Sequence, residues 1–118
     1  MRRSLALAAA IGLAVLGGST ARAQLGDDLQ RATNLARMTA ERLNGGLSRY
    51  FAADCMHSRK GGSCLINSND QGFTFRFLGG PPGWETNRQA ATVETQILVD
   101  PSGQKVLQVE YNGAPRNN

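Results

Sequence analysis

Apolar and small residues recur every three or four positions from Leu25 to Tyr50. At 100° per residue, Leu25, Leu29, Ala32, Ala36, Ala40, Leu43, Leu47 and Tyr50 fall within an arc of roughly 80°, the signature of an amphipathic helix. Asn44-Gly45-Gly46 interrupts the stripe with residues that ordinarily stop a helix. Because the phase set before this triplet is held after it, the pattern predicts one helix from about Gly26 to Ala53. Two helices hinged at Gly45 are the alternative. Asp27 and Asp28 fall in the first turn, where the helix dipole favours carboxylates.

Beyond Cys64 the period changes to two. Cys64-Leu65-Ile66-Asn67 predicts a first strand, and Ser68-Asn69-Asp70-Gln71-Gly72 has turn chemistry. Phe73, Phe75 and Phe77 alternate with Thr74, Arg76 and Leu78, as in a half-buried strand. A third strand follows, with Val93, Thr95, Ile97 and Val99 on one face. Asp100-Pro101-Ser102-Gly103 reads as a type I turn, and Lys105, Leu107, Val109 and Tyr111 alternate after it. Matching the apolar rows pairs Asp100 with Gln104, Ile97 with Leu107, Thr95 with Val109 and Val93 with Tyr111. That register calls for a three-residue loop with Gly103 in the left-handed region. The expected fold is α+β: one long N-terminal helix packed on a three- to four-stranded antiparallel meander. The domain is expected over 24–111, with 112–118 as a flexible tail.

The N-terminus changes how charge is read. Met1-Arg2-Arg3, the apolar run Leu5–Leu16 and Ala21-Arg22-Ala23 form the three-part pattern of a secretory signal over 1–23, cut after Ala23. The apolar run is shorter than the ~20 residues a membrane span needs, so no stable membrane anchor is expected after cleavage. An uncleaved anchor is the alternative, and Arg2-Arg3 also fits twin-arginine export. The chain has 13 Lys and Arg against 9 Asp and Glu. Arg2, Arg3 and Arg22 leave with the signal, so the exported chain is close to neutral, which argues against a nucleic-acid partner. The expected location is extracytoplasmic: periplasm, lumen or extracellular.

Such a compartment lets the two cysteines, Cys55 and Cys64, pair. A disulfide there would stabilise the fold by about 2.5–3 kcal/mol on loop entropy, and is expected to tie the helix end to the first strand. The competing reading is a soft-metal or redox site of Cys55, His57 and Cys64, with Met56 nearby. His57 otherwise reads as a solvent-facing loop residue. Arg31, Arg42 and Arg49 cluster opposite the apolar stripe, either as a cationic ridge for an anionic partner or as a solvated face. Pro81-Pro82-Gly83-Trp84 either presents Trp84 as a binding anchor or folds it back to cover the end of the Phe73–Phe77 row, the outcome expected here.

Asn44-Gly45-Gly46-Leu47-Ser48-Arg49-Tyr50, Cys55 and Cys64, and Phe75 through Trp84 together resemble small exported proteins of cyanobacteria. The resemblance implies compartment and single-domain architecture, and carries over no activity or site residues. With one histidine, scattered carboxylates, no phosphate loop and no zinc signature, the sequence points to a non-enzymatic binding or accessory module without a cofactor. The expected partner is an extracytoplasmic protein or a small ligand.

Overall fold

The computed structural model describes residues 26–116. The export signal expected over 1–23 lies outside these residues. One helix, α1, covers 26–43, and five strands follow: β1 Phe51–Ala52, β2 Leu65–Asn69, β3 Gly72–Gly80, β4 Val93–Val99 and β5 Val106–Gly113. The sheet is antiparallel, in the order β1-β3-β4-β5, with β2 also on β3. Thus the α+β class and the β2–β5 meander are as expected, while β1 replaces what the apolar stripe predicts to be helix.

The helix stops ten residues early because its end is satisfied locally. The side-chain amide of Asn44 donates to the Ala40 carbonyl (2.8 Å), Gly46 N donates to Glu41 O (2.8 Å), and Gly45 and Gly46 take φ of 99° and 88°. Left-handed backbone at two successive residues ends a helix, and glycine adopts it without penalty. The stripe residues past Ala40 do not share one fate: Leu43 and Leu47 are exposed, and Tyr50 is buried by the chain reversal that leads into β1.

Ala32, Ala36 and Ala40 bring α1 close to the sheet, where Phe73, Phe75, Phe77, Ile97 and Val99 complete the core with Tyr50 and Met56. Thr33 and Thr39 lie buried in the helix because their hydroxyls donate back to Leu29 O and Leu35 O (2.8 and 2.7 Å); a buried hydroxyl left unpaired would be costly.

β1 and β2 share one edge of β3. Phe51 and Ala52 pair with Gly80 and Gly79, whereas Leu65 to Asn69 pair with Phe75 to Gly72. The disulfide Cys55–Cys64 (Cα–Cα 5.8 Å) spans the interval between them. It therefore staples two neighbouring strands rather than the helix end to a strand. Its loop reaches the middle of α1, where Arg37 Nη1 donates to Met56 O (3.2 Å).

The β4–β5 register differs from expectation. Ile97 faces Val109, Thr95 faces Asn112 and Val99 faces Val106, with two irregularities along the ladder. Asp100 N donates to Lys105 O (2.9 Å), so the loop holds four residues instead of three. The Asp100 carboxylate accepts from Gln104 N, Lys105 N and Ser102 Oγ, which fixes the wider loop. Gly103 is left-handed, as predicted (φ 74°), and is pressed against α1: a β-carbon there would stand 2.8 Å from Ala32 N. Asn44 and Asn112 exchange side-chain amide bonds (3.1 and 3.2 Å), closing the other end of the helix onto β5.

Candidate functional site

Side chains alternate across a strand, so β3 has two unlike faces. Phe73, Phe75 and Phe77 point to α1; Arg76 and Leu78 point away. Leu78 pairs with Glu94 and Arg76 with Gln96 across β3–β4, placing these four on the outer face. There a groove of about 440 Å³ opens, lined among others by Ile66, Leu78, Trp84, Arg76, Glu94 and Arg116. It reaches the disulfide at the interval between β1 and β2. A smaller hollow of about 260 Å³ lies beside it, where Pro82 and Glu85 face Phe51.

Trp84 forms one wall. It is buried, only 6% exposed, but on the outer face: it sits on Gly80 and stands apart from the core cluster around the Phe row. The expected burial is observed and the expected partners are not. Pro81 O accepts from Trp84 N (2.9 Å), so the loop doubles back at once, and the indole Nε1 donates to Phe51 O (2.8 Å). Glu85 Oε1 accepts from Asp54 N (2.9 Å), pinning the same loop to the β1 side. Pro81 and Pro82 are exposed and set the stiffness of this wall.

Glu94 forms the floor and is 2% exposed. Its Oε2 accepts from Arg76 Nε (2.9 Å) and from Arg116 Nε and Nη2 (2.9 and 2.6 Å), and its Oε1 accepts from Arg116 N (2.8 Å). Burial alone would push this carboxyl up; the Arg116 bonds and the charges of Arg116 and Arg76 outweigh it and hold the pKa below the usual value. Arg116 also donates to Gln96 Oε1 (3.1 Å) and lies 3.9 Å from the centre of the Tyr111 ring, a cation–π contact. The segment expected to be a flexible tail from 112 is thus strand as far as Gly113, and Arg116 fastens it to the groove. Ile66 and Leu78 remain 50% and 40% exposed.

The remaining sequence candidates lie elsewhere. Arg31 bonds Asp28 and donates to Ser102 O (3.3 Å), and Arg42 donates to Thr39 Oγ1 (3.3 Å). Arg49 falls past the end of α1, with its stem over Gly45, so the three do not lie together on one helix face as either reading of them assumed. Cys55 and Cys64 are bonded to each other, which leaves no thiolate for the Cys55–His57–Cys64 metal set. His57 is exposed and stacked on Phe51, ring centres 4.5 Å apart. Among the described residues no helix is long and apolar enough to cross a membrane.

Sequence reasoning missed Glu94, Arg76 and Arg116. Glu94 sits off the apolar row of its strand, which in a one-sided sheet reads as solvated, and its partners come from 18 and 22 residues away. The one local signal was two charged residues on adjacent strands at positions that face the same way. Comparison with protein-family models, with curated proteins and with solved structures finds no match.

Proposed function

We propose that this chain is an exported, non-enzymatic binding or accessory module and that the outer-face groove is the surface it offers to its partner. One observation carries the reading: half-exposed Ile66 and Leu78 adjoin a buried carboxylate gripped by two guanidiniums, inside a hollow with Trp84 as a fixed wall. Apolar walls with a few oriented polar groups are the make-up of ligand sites. The disulfide suits an oxidising compartment, in keeping with the signal-like N-terminus. A photo-crosslinking residue placed at Leu78 and, separately, at exposed Met38 on α1 tests the reading in the native envelope. A discrete adduct from position 78 with none from 38 supports it. Equal labelling from both positions, or none from either, counts against it.

A further inference from the structure

Two cations converge on the one anion at the floor of this groove. Arg76 and Arg116 both donate to the same oxygen, Glu94 Oε2, so their guanidiniums are held side by side with a single buried negative charge between them. These three side chains carry one positive charge in excess; the next carboxylate, Glu110, is held off by Gln96, which accepts from Arg116 and donates to Glu110 Oε1 (2.8 Å). Arg76 uses only Nε in this contact, and among the described residues its two terminal nitrogens and Nη1 of Arg116 have no hydrogen-bond partner. Both side chains are 35% exposed and line the groove. A second carboxylate at the rim would meet planar paired donors and relieve the repulsion between the two arginines.

The rest of the groove sets what accompanies that carboxylate. Leu78 and Ile66 offer apolar surface next to the arginines, and Trp84 and the disulfide close the hollow behind them. Glu85 lies at the β1 side, tied to Asp54 N, whereas Glu94 and Arg116 lie at the β4 side. A ligand carrying one negative charge is therefore repelled at one end and attracted at the other. Resting on the reading of this groove as the binding surface, we propose that it takes a small organic monocarboxylate with an apolar body. The carboxylate sits on Arg76 and Arg116, and the body lies along Leu78 and Ile66 towards Trp84.

Trp84 is the only tryptophan, so its emission reports occupancy. The probes are octanoate, octanol and octylamine, each titrated below its aggregation limit into the mature protein. The expected result is saturable perturbation by octanoate, with octanol at least tenfold weaker and octylamine without effect. Arg76→Gln should weaken octanoate tenfold or more and leave octanol unchanged. Should Arg76→Gln melt early, Leu78→Ser, at an exposed position, should weaken both octanoate and octanol. Equal affinity for octanoate and octanol would overturn the carboxylate assignment while leaving a groove that binds. No response to any probe would overturn the ligand class, and the crosslinking at position 78 would still judge the groove as a partner site on its own.

Discussion

The ring of Tyr50 occupies the space into which any side chain at Gly79 would project. A β-carbon on Gly79 would stand 2.5 Å from Tyr50 Cζ and 2.6 Å from its Oη. The contact joins the turn after α1 to the central strand, and only glycine permits it. Gly79→Ala must therefore displace a buried aromatic ring, and we expect a loss of about 3 kcal/mol, the upper range for overpacking a core. Chemical denaturation measures it; a loss under about 0.5 kcal/mol would show that the ring has room to move.

Tyr50 gives a second, opposite prediction. Its hydroxyl is buried beside Thr95 without a hydrogen bond of proper geometry, and the Thr95 hydroxyl gives its own proton to Asn112 Oδ1 (2.7 Å). Removing an unpaired buried hydroxyl relieves a desolvation cost, so Tyr50→Phe should be neutral or more stable than the parent. Burial, opposed by Thr95 and aided by the charge of Glu41, pushes the Tyr50 phenol up to about 12. Its folded-state pKa exceeds the ordinary value near 10, so its contribution is full below pH ~10 and is lost as pH rises towards 12. Melting temperatures across that window should fall less steeply for Tyr50→Phe than for the parent.

Trp84→Ala empties a buried site on the outer face and should cost about 3 kcal/mol, the low end of the range for large aromatics. Trp84→Phe should retain most of the packing and lose about 1 kcal/mol with the bond to Phe51 O. Emission from the folded parent should be blue-shifted and slow to quench. Red-shifted, freely quenched emission would contradict a buried indole.

Reduction of Cys55–Cys64 should lower the melting temperature by more than about 10 °C, since about 2.5–3 kcal/mol is large for a domain of this size. A melt that stays put after verified reduction would show that the β1–β3 and β2–β3 pairings hold without the staple.

Acid should destabilise the fold through Glu94 and Asp100. Both carboxyls are depressed in the folded state despite burial, Glu94 by Arg116 and Arg76, and Asp100 by Ser102, Lys105 and Gln104. Their stabilisation is present above the ordinary carboxylate range and is lost as pH falls through their folded values. Glu94→Gln should cost about 2 kcal/mol at neutral pH and flatten the acid limb of the stability profile, with Asp100→Asn removing a separate share. An unchanged acid limb in both variants would place the pH dependence elsewhere.

Strands β3 and β4 were legible because each carries one apolar row, and the Phe row, the β4 row and the need for Gly103 in the left-handed region all appear in the structure; the β5 row does not, since Leu107 and Val109 are exposed and Tyr111 falls opposite Gln96. The end of α1 was not. Leu43 and Leu47 continued the stripe by spacing alone, yet neither is buried, and the local chemistry of Asn44-Gly45-Gly46 outweighed the phase. The hairpin register failed for a related reason. Matching rows assumed regular pairing, whereas the Asp100 carboxylate gathers two backbone N–H groups and widens the loop, and the irregularities in the ladder absorb the offset. The groove was the least legible part. Arg76, Glu94 and Arg116 are ordinary surface residues in a linear reading, and become a cluster only when β3 and β4 pair and the chain after β5 turns back over them.

That return of the chain has a practical side. Arg116 lines the groove and is bonded to its floor by main chain and side chain alike. A purification handle or fluorescent fusion appended there would crowd the opening and, by pulling on Arg116, disturb Glu94 beneath it. Handles for capture, immobilisation or labelling belong ahead of α1, whose first turns pack on Gly103 of the β4–β5 loop, at the opposite end of the helix from the Asn44–Asn112 pair.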